Sequence, residues 1–275
     1  MRKIALIILL FKILLISNIY AQNNNLKYDS NNQGLFNALK DGKTDIAVNI
    51  IKLGADVNIK DEYGWSLLHR AVEYNNIIVV KELLENKKID IEVKLPKDTI
   101  ITNDNEKWYA DGDTPLLLAC YYGYGEIVET LLNYGANLEA RDSIDSAMAI
   151  HIAASKGYSD IIDIIMQSYS AKKINNLVDI EDDTGTTPLM WASMNNQISA
   201  INTLLKYGAN INAQDYDGWT ALHFAAASQS YKAVEILLKN DANANLENVN
   251  DDKAIDLTSD TDIVELLNKY TNNNK

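Results

Sequence analysis

This 275-residue chain has almost no cysteine, with Cys120 standing alone. An intramolecular disulfide is therefore excluded, and whatever holds the fold must be packing, which suits any redox compartment. Histidine is nearly as scarce, with only His69, His151 and His223. No phosphate loop, no G-x-S-x-G, no H-E-x-x-H and no Cys/His cluster appears along the chain, so a nucleophilic triad, a zincin site and a zinc knuckle all lack their residues. Positive charge is the third shortage: 25 Lys and Arg face 38 Asp and Glu, a formal net of −13. A chain this acidic repels phosphate backbones and anionic membrane surfaces and favours a basic partner. The same acidity also serves simply to keep a protein soluble. Apolar residues make up 47% of the chain, which excludes wholesale disorder.

The first 21 residues carry Arg2, Lys3 and Lys12 and no acid. A positive start, an apolar stretch from Ile4 to Ile16 and the small Ala21 before the polar Gln22-Asn23-Asn24-Asn25 follow the order of a bacterial-type secretory signal, expected to be cut after Ala21. Lys12 and Ile19 depart from the usual pattern. The rival is an uncleaved membrane anchor, but a spanning helix needs roughly 20 apolar residues, and a central lysine costs about 2.5–3.5 kcal/mol on insertion scales. No cysteine follows the cut, so lipid attachment there is excluded. The expected product is secreted or periplasmic, with a polar lead-in over residues 22–32.

What the chain has in abundance is self-similarity. Thr220-Ala221-Leu222-His223 is followed by Ala225-Ala226, Leu237-Leu238 and Asp241-Ala242-Asn243-Ala244-Asn245. Thirty-three residues earlier stand Thr187-Pro188-Leu189-Met190, Ala192-Ser193, Leu204-Leu205 and Gly208-Ala209-Asn210-Ile211-Asn212. Met148-Ala149-Ile150-His151, Thr114-Pro115-Leu116-Leu117 and Ser66-Leu67-Leu68-His69 continue the series. The marker position falls at Gln33, Ser66, Thr114, Met148, Thr187, Thr220 and Lys253, at intervals of 33, 48, 34, 39, 33 and 33. This pattern resembles the ankyrin repeat, with its period of 33 and its T-P-L-H-x-A signature. The resemblance covers roughly residues 27–270. It implies an all-α solenoid of stacked helix-turn-helix units joined by β-turn or hairpin loops: about seven units over residues 22–270, the outer two as caps, then a polar tail over 271–275.

Each element of the motif has a physical reason. Thr or Ser caps a helix through its side-chain oxygen. Pro115 and Pro188 suit the first helical position, where no N–H is missed. Small residues at the inner sites let helices approach, and paired apolar residues such as Ile50-Ile51, Leu83-Leu84 and Leu131-Leu132 supply the core of the second helix. Gly54, Gly135 and Gly208 suit a left-handed helix stop. No unit buries its apolar face alone, so stacking supplies the core.

The three histidines occupy the fourth position of the capping tetrapeptide, in alternate units. At roughly 8–10 Å per helix layer they cannot share a metal, and the resemblance implies that they hydrogen-bond backbone. Cys120 occupies a small-residue site and reads as a buried, inert thiol. Asp215-Tyr216-Asp217-Gly218 has the look of a calcium loop, but the twelfth position is Ala226 rather than the required acid, which leaves turn residues. No catalytic residue, cofactor or metal is expected, and the chain is expected to be a monomer.

The resemblance implies protein binding through turn tips and the exposed side of the first helices. Carried onto this chain, those positions are Glu62, Tyr63, Trp65 and Tyr74 in the second unit and Asp111, Asp113, Tyr121 and Tyr122 in the third. Asp145 belongs to the fourth unit, Asp183 to the fifth, and Tyr216, Asp217 and Trp219 to the sixth. Tyr and Trp are typical anchors, and the acids suit a protein partner with a basic contact surface. For Trp65 and Trp219 both a binding and a packing role remain open. The interval of 48 places about fifteen extra residues near 94–109, with Trp108 and Tyr109 at their end. The interval of 39 adds about six around 170–178. Such insertions often serve binding. Two other functions stay in view: a small-molecule binder or enzyme using the long insertion, and a structural cell-envelope spacer.

Overall fold

The computed structural model describes residues 32–103, 106–172 and 176–272. The expected leader over residues 1–21 lies outside the described residues. The chain divides into two compact units, one ending at Asp90 and the other beginning at Ile91.

The first unit holds two helix pairs, α1 (Asn32–Lys40) with α2 (Thr44–Lys52) and α3 (Leu67–Glu73) with α4 (Ile77–Leu84). The second begins with a β-hairpin, β1 (Ile100–Asn103) and β2 (Glu106–Tyr109). It continues through α5 (Pro115–Tyr122), α6 (Gly125–Asn133), α7 (Ala149–Lys156), α8 (Ser159–Lys172), α9 (Pro188–Met194), α10 (Ile198–Lys206), α11 (Ala221–Ala227) and α12 (Tyr231–Lys239). A 3₁₀ turn, Leu177–Asp179, lies between α8 and α9, and a second, Ala254–Leu257, leads to α13 (Thr261–Asn272) at the end. This is a helix-rich ankyrin-repeat solenoid.

The repeat chemistry explains the elements. Ser66, Thr114, Thr187 and Thr220 each accept the backbone N–H three residues on, at the start of α3, α5, α9 and α11. Met148 has no such oxygen; the imidazole of His151 accepts its backbone N–H at 3.1 Å, as that of His223 accepts the Thr220 N–H. Gly54, Gly135 and Gly208 end α2, α6 and α10 at φ of 95°, 92° and 82°, where a Cβ would be strained. The small residues Ala119, Cys120, Ala153, Ala154, Ala192, Ser193, Ala225 and Ala226 are all buried, which lets neighbouring first helices pack closely. Leu83, Leu131, Leu204 and Leu237 fill the core between the second helices, each contributing about 1.5–3 kcal/mol by leaving water. Leu205, the second member of its pair, is only half-buried.

Three departures from the ideal repeat have local causes. The long insertion folds as an antiparallel ladder, Ile100 opposite Tyr109 and Ile101 opposite Trp108. The shorter insertion begins within α8, which runs 14 residues where α6 runs nine. In the last unit the first helix shrinks to one turn, so α13 begins early. That helix extends through Asn272, into the polar stretch expected from residue 271. Among the described residues, no helix is long and apolar enough to cross a membrane.

Candidate functional site

Between repeats the chain makes a tight turn closed by an Asp or Asn side chain. Asp61 Oδ1 accepts the backbone N–H groups of Tyr63 and Trp65, both at 2.9 Å. Asp182 Oδ1 accepts those of Thr184 and Thr186, Asp215 Oδ1 those of Asp217 and Trp219, and Asn248 Oδ1 those of Asn250 and Asp252. Asp142 Oδ1 serves the longer fourth turn through Ile144, Asp145 and Ala147. A short side chain satisfying its own turn is the reason the sequence is rich in Asp at this register.

In the second unit the turn tips are joined into a row. Ser143 N–H donates to the Asp111 carbonyl at 2.9 Å, Asp183 N–H to Asp145, Tyr216 N–H to Thr184, and Val249 N–H to Asp217, each of the last three at 3.0 Å. Exposed side chains decorate this row: Asp145, Asp183, Asp217, and Tyr216 at 68% exposure. Ile144 and Val249 stand exposed beside them. Partial burial raises the Asp145 carboxyl above the ordinary carboxylate range, and the nearby Asp142, Asp182 and Asp183 raise it further. The row thus carries mutually repelling carboxylates next to apolar surface, an arrangement that a cation would relieve.

The fourteen sequence candidates do not all reach this surface. Glu62, Tyr63 and Tyr74, all in the second repeat, are exposed, while Asp111, Tyr122 and Trp219 are half-buried. Trp65, Asp113 and Tyr121, expected to be exposed, are buried. The causes differ. Trp65 lies under Arg70, whose guanidinium carbon sits 4.2 Å from the ring centroid. Tyr121 is roofed by the insertion: Trp108 stacks on it at 4.9 Å between centroids, and Lys156 Nζ lies 4.5 Å from the same ring's centroid. Asp113 is fully buried beneath that hairpin and receives the Trp108 indole N–H at 2.8 Å. Burial pushes its carboxyl up to about 7, the Trp108 hydrogen bond works against that, and Asp142 and Asp111 add to it.

His151 receives the Met148 N–H on Nδ1, so Nε2 carries the proton and donates to the Ile180 carbonyl at 3.0 Å. His223 is held the same way between Thr220 and Asp252. Burial lowers both imidazoles below the ordinary range, His151 to about 4. These neutral, fully engaged rings bridge one repeat to the next. Cys120 is fully buried, and burial pushes its thiol far up. Among the described residues no cluster of His, Cys, Asp and Glu is arranged to hold a metal ion.

Two residues escaped sequence reasoning. Val249 was hidden in an atypical final repeat. Arg70, which bonds both Asp61 and Glu73, is the other. Its spacing of nine from the turn Asp was the available signal, because Trp191 repeats it from Asp182.

Comparison with known proteins agrees with this geometry. A family model described as ankyrin repeats (3 copies) matches residues 8–95, 95–176 and 150–248. The rat nuclear factor NF-kappa-B p105 subunit is 31% identical over 156 residues, 57% of this chain and 15% of that protein. The human transient receptor potential cation channel subfamily A member 1 is 30% identical over 162 residues, 58% of this chain and 13% of that one. The chain therefore spans only a small part of these relatives. Among solved structures, the human ASB11 ankyrin repeat domain superposes with a TM-score of 0.70 at 25% identity, covering 86% of this chain and 96% of that one. The Bcl-3 ankyrin repeat domain gives 0.66 at 24% identity, covering 85% and 97%. With its repeated caps, its bridging histidines and a family match that runs through most of its length, the chain belongs to the ankyrin-repeat family.

Proposed function

We propose that this chain is an exported, non-catalytic binding scaffold that recognises a basic protein surface through the turn-tip row of its second unit. Ankyrin repeats generally mediate protein–protein interaction, which supports the class of partner. The observation that carries the finer reading is the row of turns, hydrogen-bonded one to the next, that lines up Asp145, Asp183, Asp217 and Tyr216 as exposed side chains. Presentation on turns already bonded together lowers the entropy lost on binding, and the acids give complementarity to Arg and Lys. Export rests on the residues of the leader, Arg2 and Lys3 before the apolar stretch ending at Ile16.

The test is affinity capture with the wild-type chain and with Asp145→Lys, Asp183→Lys and Asp217→Lys combined. A partner retained by the wild type and lost from the triple variant, with the melting temperature kept, is the expected result. Capture of the same partners by both proteins would sink the assignment of the surface. N-terminal sequencing of the exported form, expected to begin at Gln22, checks the leader.

A further inference from the structure

Each turn Asp has a second carboxylate oxygen, and the residue nine positions on decides what meets it. In the second repeat that residue is Arg70, whose Nε donates to Asp61 Oδ2 at 2.7 Å while its guanidinium lies on the face of Trp65. In the fifth it is Trp191, whose indole N–H donates to Asp182 Oδ2 at 2.8 Å. In the sixth it is Phe224, which has no donor. Asp215 Oδ1 still accepts the N–H groups of Asp217 and Trp219, but Oδ2 accepts no hydrogen bond among the described residues. The fourth repeat also lacks a donor, with Ile152 ten residues after Asp142 in its longer turn, but Asp142 is buried there with three backbone N–H groups on one oxygen. Asp215, by contrast, is half-exposed.

The surroundings of Asp215 share the turn geometry and the tryptophan of those of Asp61. Trp219 occupies the place of Trp65, four residues after the turn Asp, and Phe224 packs beside it with ring centroids 5.0 Å apart. Both rings are only half-buried. Partial burial raises the Asp215 carboxyl, the two backbone N–H groups oppose that, and Asp217 and Asp182 raise it again. A carboxylate left short of positive charge therefore sits beside an aromatic pair. In the second repeat the residue in the place of Phe224 is an arginine, and it supplies that charge from within.

We infer that the sixth repeat is an arginine-binding site, in which a partner's guanidinium donates to Asp215 Oδ2 and lies against the half-exposed Trp219–Phe224 pair, Phe224 itself holding the position that Arg70 has in the second repeat. Guanidinium suits this better than ammonium, because its planar fork donates to a carboxylate while its face stacks on an aromatic ring. The exposed Asp217 supplies a second negative charge close by. The inference rests on the reading of the chain as a binder of basic protein surfaces and locates one of its contacts.

The experiment titrates the ¹⁵N-labelled full chain with N-acetyl-arginine methylamide, and in parallel with the citrulline compound, which keeps the shape and loses the charge. Saturable shifts of the Trp219 indole N–H and of the Asp217 and Trp219 amides are expected with arginine, on the order of tenfold weaker with citrulline. Asp215→Asn keeps the acceptor for both turn amides and removes the charge, and should weaken arginine binding about tenfold. Phe224→Arg should abolish the response by placing a guanidinium on Asp215 from within. Equal responses to both compounds, or an unchanged response in Asp215→Asn, would overturn the site. So would arginine shifts spread evenly over the Asp145 and Asp183 turns, an outcome that leaves the broader acidic row standing. Loss of partner capture on reversing that row, tested separately, distinguishes the two claims.

Discussion

The indole N–H of Trp108 donates to Oδ2 of the buried Asp113 across 2.8 Å, tying the inserted hairpin to the start of a repeat helix. Trp108 comes from β2, and Asp113 immediately precedes the cap residue Thr114 of α5. The same indole ring stacks on Tyr121 one helix length away. The inserted segment thus closes over one side of the third repeat's first helix.

That burial makes stability depend on pH. With its carboxyl raised to about 7 in the fold and near 3.9 unfolded, Asp113 binds more protons folded than unfolded between those values. Its contribution is fully present below about pH 4 and is lost as pH rises through about 7, at up to roughly 1.4 kcal/mol per pH unit. Asp113→Asn keeps an oxygen for the Trp108 N–H and cannot ionise. Its urea midpoint relative to wild type should therefore rise between pH 4 and 7 and level off above. A constant difference across that range would show that Asp113 does not titrate there.

His151 works in the opposite sense. Its folded value, lowered to about 4 by burial, lies below the unfolded value of about 6.5. Neutral His151 contributes stability above pH 6.5 that is lost as pH falls through 4. Between about pH 4 and 6.5 the two groups nearly cancel in the wild type. Asp113→Asn should therefore expose a steeper loss on acidification, and adding His151→Gln should flatten it again. Midpoints for the two proteins across this window decide the matter, and parallel curves would refute the coupling.

The repeats were legible because every unit solves the same local problem with the same residues. Thr114, Thr187 and Thr220 cap, Pro115 and Pro188 start, and Gly135 and Gly208 stop, each through neighbours a few positions away. The structural role of the histidines was implied by the family resemblance that this register carries. The fate of Trp65, Asp113 and Tyr121 was not legible, because long-range packing decides it: Arg70 covers the first, and the hairpin covers the other two. Strands of four residues, with polar Thr102, Glu106 and Lys107 among them, carry too little alternation to announce themselves. The acidic row was readable residue by residue but not as a row, since backbone hydrogen bonds between turns assemble it.

Helix capping offers a clean check on the repeat logic. Thr220 Oγ1 accepts the His223 N–H and also meets His223 Nδ1 at 2.8 Å. Thr220→Ala should cost about 1–2 kcal/mol, while Thr220→Ser, which keeps the oxygen, should recover most of it. Urea denaturation of the three proteins tests this. Equal loss in both variants would assign the effect to the Thr methyl group and its packing.

Arg70 supplies the sharpest test of charge against shape. Its guanidinium bonds Asp61 at 2.6 Å and Glu73 at 2.7 Å, with all three side chains 15–25% exposed, and it lies on Trp65. Arg70→Met removes the charge and leaves two partly buried carboxylates facing each other, at a cost of about 1–3 kcal/mol. Arg70→Lys restores the charge but offers a single ammonium point in place of a planar fork. It cannot reach both carboxylates and stack on the indole together, so it should recover less than half of that loss. The readout is amide exchange protection in α3, Leu67–Glu73, which reports the first unit alone. Full recovery by lysine would mean that a point charge is enough, and the arginine geometry argued for Asp215 would lose its template.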